Sequence, residues 1–221
     1  MTDLRARLAR LDEEEDPDVP EPIGPEPKEP DDNKTLASPV NELEQRLFRQ
    51  RKVLVFGAID DKVARDVTGR LLALSGASKE PIDVYINSPG GHVESGDTIH
   101  DMIRFVDAVS PVRVIGTGWV ASAGALIYLA GVKERRFCLP NTRFLLHQPM
   151  GGVRGPATDI DIEAREIIKM RERINRIIAR ETGQPLDRVE RDTDRNYWMS
   201  AEEAIAYGLV DRVIRSVEDL R

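Results

Sequence analysis

Gly118 to Ala125 reads GWVASAGA and sets a serine, Ser122, among small residues. Twenty-five positions later (147 − 122), FLLHQPMGG carries His147, one of only three histidines. A serine hydroxyl is a poor nucleophile until a base removes its proton, and an imidazole is the usual base. Ala121, Ala123 and Gly124 leave room for a substrate carbonyl. If a helix opens near Ser122, the Ala123 amide is a free N-terminal donor, able to hold an oxyanion. The same local pattern also fits a serine that merely caps the helix. His147, ending an apolar strand, is either hydrogen-bonded or functional. Gly90 and Gly91 follow another strand, as a plain turn or as a second oxyanion donor beside a groove for an extended peptide.

Other chemistries fit less well. GTGWVA matches a G-x-G-x-x-A dinucleotide fingerprint, but the acidic residue wanted about 20 positions on is missing from FCLPN. His92 and His100, with Asp97 and Asp101, match no standard zinc spacing and read as solvated helix residues.

The elements that must position these residues alternate between strand and helix from about Asn41. KVLVFGAI (52–59) reads as a buried strand. Asp60 then caps a helix burying Val63, Val67, Leu71 and Leu74. IDVYINSPGG is a strand ending in a turn at Pro89, Gly90 and Gly91. Ile99, Met102, Ile103 and Val106 mark a helix. VRVI is a strand, and residues 121–130 a buried helix. Short strands follow around Phe137 and over 144–146. A long helix within 155–181 sets Ile160, Ala164, Ile167, Ile174 and Ile178 on one side. Ser200 and Glu203 form a capping box for a helix to Tyr207, and LVDRVI closes the chain as a strand. This alternation predicts an α/β class with largely parallel strands.

The net charge of −7 belongs to one segment: residues 11–32 hold eleven acids and one lysine, leaving +3 elsewhere (−7 + 10). Six prolines lie among those acids, so residues 1–40 are expected to be a disordered acidic extension and 41–221 a single domain. Leu4, Leu8 and Leu11 could make a short partner-binding helix or a fraying end. No strong basic patch argues for nucleic acid. The longest uncharged run, 116–132, is better explained by a buried helix and its lead-in than by a membrane span. One cysteine, Cys138, forbids an internal disulfide, and the N-terminus has no signal-peptide core. A reducing, cytoplasmic setting is expected.

YINSPGG, GWVASAGA, FLLHQPMGG, GPATDIDIEAREI and ERDTDRNYWMSAEEAIAYGLVD together resemble the proteolytic subunits of the Clp protease, from about Arg46 to Ile214. The resemblance implies a crotonase-like ββα superhelix with a protruding handle helix from about Ala157. It implies a serine endopeptidase without cofactor or metal, cutting unfolded polypeptides inside two stacked seven-membered rings. A Clp/Hsp100 AAA+ unfoldase is the implied partner. Ser122 becomes the nucleophile, His147 the base and then the acid, and the amides of Gly91 and Ala123 the oxyanion hole. Gly151 to Arg154 is similar to the strand beside the substrate groove.

The sequence departs from the family's pattern in three places. The third triad member is usually aspartate; aligning RDTDRNYWMSAEEA puts Asn196 there, with Asp194 or Asp192 the nearest alternative carboxylates. Asp83 replaces an aromatic of the unfoldase-docking pocket. The acidic tail stands where a short pore loop is usual. A weakly active or inactive partner subunit, working in a mixed assembly with an aspartate-bearing paralogue, is therefore a second reading. A crotonase-fold acyl-CoA enzyme would not need Ser122 and His147 at these positions.

Overall fold

The computed structural model describes residues 39–220. The acidic extension, including Leu4, Leu8 and Leu11, lies outside them. Helix α1 (Pro39–Arg49) leads into β1 (Lys52–Phe56), where Val53 and Val55 are buried. The strand stops sooner than expected because Gly57 turns to φ 81°. Asp60 caps α2 (Asp61–Ala77) by accepting from the Val63 amide at 2.8 Å. Ala64, Val67, Leu71 and Leu74 are buried along that helix. Then come β2 (Ile82–Ser88), α3 (Val93–Asp107), β3 (Val112–Ala121) and the short α4 (Ala123–Tyr128). The second half holds β4 (Arg136–Cys138), β5 (Arg143–Leu146), α5 (Ala157–Thr182) and α6 (Leu186–Asp192). It ends with β6 (Tyr197–Met199), α7 (Ala201–Tyr207), β7 (Arg212–Val213) and a 3-10 turn over Val217–Leu220.

Strands β1-β2-β3-β4-β7 lie in that order, all parallel, as the alternating pattern predicts. The end of β3 also pairs in parallel with β5, and β5 pairs antiparallel with β6. Ser88, Ser122 and His147 therefore all sit at or just past the C-terminal ends of parallel strands, where α/β sheets gather their binding groups. The main core packs α2, α3 and α4 against the sheet. A separate apolar cluster of Ile115, Phe137, Ile214 and Leu220 packs with Tyr85 and Leu139.

Four expectations need correction. Residues Gly151 to Arg154 form no strand in the single chain: no neighbouring strand pairs with them, and Gly151 and Gly152 weaken any extended preference. The capping box at Ser200 and Glu203 forms, but the closing strand shrinks to Arg212–Val213. His100 is not a solvated helix residue; it is 3% exposed, and its Nδ1 lies 2.8 Å from the Leu126 carbonyl. Of the apolar residues on α5, only those in the C-terminal half reach the core. Ile178 is buried, whereas Ile160 is 41% exposed, as are the neighbouring Ile162 (52%) and Ile168 (57%). No helix among the described residues is long and apolar enough to cross a membrane.

Candidate active site

The turn after β2 is built for close approach. Gly90 takes φ 96° and Gly91 φ 153°, conformations that side chains rarely adopt. A Cβ on Gly90 would sit 2.5 Å from the Ser122 Cβ, and one on Gly91 would collide with the Ile59 carbonyl. Ile59 donates to the Gly90 carbonyl (2.9 Å) and accepts from the His92 amide (2.8 Å). In this parallel bridge Gly91 lies between the two bonded residues, so its own N–H points away from Ile59.

Ser122 sits between β3 and α4 at φ 55°, ψ −122°. For a non-glycine residue this costs roughly 1–3 kcal/mol and needs surroundings that enforce it. The enforcement is visible. The Ser122 amide donates to the Leu145 carbonyl at 3.0 Å, while its carbonyl accepts from Ala125 and Leu126 at 2.9 and 3.1 Å. Its side chain makes no capping bond, so the simple N-cap reading fails. Ala123, as the first residue of α4, has an amide without a helical partner. Packing is tight behind it: a Cβ on Gly96 of α3 would lie 3.1 Å from the Ala123 Cβ.

Ser122, Ala123 and His147 line one cleft, with Val93, Leu126, Leu146 and Ile174 on its apolar walls. An apolar side chain of a substrate fits such a wall. His147 and Asn196 also line a second, more open depression. The last ladder pair of β5 and β6 is Leu146 with Tyr197, so His147 and Asn196 are the next residues past the end of that ladder. No hydrogen bond yet joins Ser122, His147 and Asn196 in the single chain, a common state for a catalytic site without substrate.

Neither alternative carboxylate is turned to His147. Asp194 pairs with Arg171 of α5 at 3.1 Å, and its carbonyl accepts from the Gln148 side chain at 2.7 Å. Asp192 accepts from the Tyr207 hydroxyl at 3.0 Å and lies 3.4 Å from Arg188. Sequence reasoning missed β6 and the Arg171 contact, because a three-residue strand and a long-range ion pair leave no periodic trace.

Burial pushes His147 below the ordinary histidine value of 6.5, with no carboxylate opposing it. The imidazole is thus a free base at neutral pH. We expect the acid limb of kcat/KM for a small peptide to be centred below pH 6.5. An acid limb centred above 6.5 would contradict this; a pH–rate profile decides.

Asp83 is not an exposed substitute for a docking aromatic. It is buried, and the Arg113 Nε donates to it at 2.6 Å. Arg113 also donates to the Leu220 carbonyl, tying the last turn of the chain to β3. His92, by contrast, joins a surface network with Ser95, Asp61 and Glu94. Among the described residues, no group of three or more His, Cys, Asp or Glu could hold a metal ion.

A family profile described as Clp protease matches residues 37–217. The chain belongs to the Clp protease family. Serine-peptidase chemistry and the observed α/β fold go with that membership. It is 76% identical over its full length to "ATP-dependent Clp protease proteolytic subunit 2" of Gluconobacter oxydans, covering 96% of that protein. It is 60% identical over 193 residues, 87% of this chain and 98% of the relative, to "ATP-dependent Clp protease proteolytic subunit 3" of Rhizobium johnstonii. Two solved structures of ClpP1 from Listeria monocytogenes share 52% identity, covering 81% of this chain and 99% of theirs. Their TM-scores are 0.75, for an asparagine-to-aspartate mutant, and 0.73.

Proposed function

We propose that this chain cuts unfolded polypeptides by acyl transfer through Ser122. The observation that carries the assignment is a strained serine with an unbonded hydroxyl, sharing a cavity with a free-base histidine. In the proposed reaction His147 takes the Ser122 proton as Oγ attacks the scissile carbonyl. The amides of Gly91 and Ala123 receive the developing oxyanion. His147 then protonates the leaving amine, and water, deprotonated by the same imidazole, releases the acyl group. Asn196 is the third member, orienting the imidazole through its amide oxygen without adding charge. No cofactor enters. The test is labelling of Ser122 by a fluorophosphonate, with the purified chain alone and then with any paralogue. A chain unlabelled in both settings lacks this activity.

The assembly we propose is a pair of stacked seven-membered rings enclosing the sites, fed by a Clp/Hsp100 AAA+ unfoldase in the cytoplasm. The exposed Ile160, Ile162 and Ile168 on α5, with Met150 nearby in sequence, support a handle that another copy covers. A mixed assembly is the second reading. It is favoured by the uncharged Asn196 and by the subunit numbers 2 and 3 in the names of the relatives.

Deleting residues 1–40 is expected to leave ring assembly intact, by size-exclusion chromatography, and to speed acidic peptides relative to basic ones. The proposed gating role rests on the −10 charge of residues 11–32, which repels like-charged substrates. Equal acidic-to-basic rate ratios before and after deletion would count against this role.

A further inference from the structure

Ser88 is fully buried at the end of β2, does not line the cavity, and plays no part in the proton transfers above. We infer that its hydroxyl is a positioning group that aims the oxyanion hole, an inference that rests on the acyl-transfer reading. Ser88 Oγ donates to the Gly57 carbonyl at 2.6 Å and accepts from the Gly90 amide at 3.0 Å. Its one proton and one of its lone pairs are thereby used. The Gly57 amide in turn donates to the Asn87 carbonyl at 2.9 Å, so β1 and β2 are clamped at their ends. The β2–β3 register shifts between Ile86 and Ser88, which re-aims the strand end.

Two bonds then hold Gly90, one on the peptide before it and one on the Gly90–Gly91 peptide. The Ser88 hydroxyl holds the Gly90 amide, and the Ile59 amide holds the Gly90 carbonyl. In a trans peptide the next N–H lies opposite that carbonyl. Gly91 N–H is therefore aimed by the anchoring of Gly90. Ser88 also touches the other donor's helix: a Cβ on Gly124 would lie 3.1 Å from the Ser88 Cβ. With Gly90 pressed on Ser122, one buried side chain registers the turn bearing the Gly91 amide, the nucleophile and the start of α4. Removing the hydroxyl strands the buried Gly90 donor, releases the Gly57 carbonyl to water and lets the turn drift. A drift of a fraction of an ångström matters little to substrate binding and much to an oxyanion.

The test uses the full chain carrying Ser88→Ala or Ser88→Cys, assembled as the parent is. A fluorophosphonate joins Ser122 Oγ to phosphorus, expels fluoride and passes the proton to His147, so its kinact reads oxyanion stabilisation and its KI reads binding. Ser88→Ala should lower kinact by at least about tenfold, a cautious share of the 10²–10³ seen on losing an oxyanion donor outright. KI and the affinity for a product peptide should stay within about twofold, while a peptide aldehyde, bound as a tetrahedral adduct, weakens in step with kinact. Ser88→Cys, similar in size but a weak donor, should fall between. Labelling of Ser88→Ala at the parental rate overturns the inference. So does a parallel loss of kinact, KI and thermal midpoint in both variants, or failure of both to fold, since Ser88 is then a folding residue only. If Ser88→Ala alone does not fold, the kinact-to-KI split of Ser88→Cys decides. An unlabelled parent chain would instead sink the acyl-transfer reading itself.

Discussion

Ser122→Ala is expected to abolish fluorophosphonate labelling and to cut peptide hydrolysis by at least about 10²-fold while the assembly survives. Loss of the nucleophile costs about 10⁶ in a full triad, and in the proposed triad a neutral third member would remove about 10⁴ of that, leaving the smaller gap. The fold should not notice. The Ser122 hydroxyl makes no capping bond, and the backbone bonds that hold φ at 55° come from the Ser122 amide and carbonyl, which alanine keeps. Alanine bears the positive φ no worse than serine does. Hydrolysis at the parental rate, by an assembly of parental size, would end the serine-peptidase assignment.

Asn196→Asp should move activity the other way, raising peptide hydrolysis by at least about tenfold, a cautious fraction of the 10⁴ lost by aspartate-to-asparagine exchange in the serine-protease triad. The third member accepts the Nδ1 hydrogen of the histidine and steadies the imidazolium that forms during attack. Asparagine accepts without charge and, if flipped, donates and favours the wrong tautomer. His147 and position 196 each lie one residue beyond the last β5–β6 ladder pair, and both line the same depression. The rival carboxylates are held elsewhere, Asp194 by Arg171 and Asp192 by Tyr207 and Arg188. The new carboxylate opposes the burial that lowers His147, so the acid limb of the pH–rate profile should shift to higher pH as the plateau rises. No gain, together with loss of activity in Asp194→Asn, would transfer the role to Asp194.

The residues that carry periodicity or capping chemistry were readable in the sequence. Asp60 caps α2, Val67, Leu71 and Leu74 line its buried face, and Ser200 with Glu203 forms the capping box, because each depends on near neighbours in the chain. Ser122 and His147 could be paired as candidates because small residues and apolar strands flank them. The left-handed conformation of Ser122 was not readable, since distant Leu145 helps impose it. Nor was the clamp at Ser88, whose partners Gly57 and Gly90 are joined only by the fold. The short β6 and the outward half of α5 escaped for related reasons: the first has too few residues to show a period, and the second has an apolar face that nothing among the described residues covers.

The bond from Arg113 to Leu220 spans 107 positions and ends on the last described residue. During synthesis, Arg113 and the buried Asp83 leave the ribosome long before that acceptor exists. At about 5–20 residues per second the wait is roughly 5–20 s. Until then the pocket formed by Ile115, Phe137 and Ile214 lacks the Leu220 side chain that closes it. The turn that delivers Leu220 is shaped by Asp219, whose carboxylate accepts from the amides of Arg215 and Ser216 at 2.7 and 2.9 Å. A nascent chain that has not yet made this turn has its main core but carries an open apolar patch beside an incompletely bonded arginine. Closure of this small cluster thus waits on the turn over Val217–Leu220.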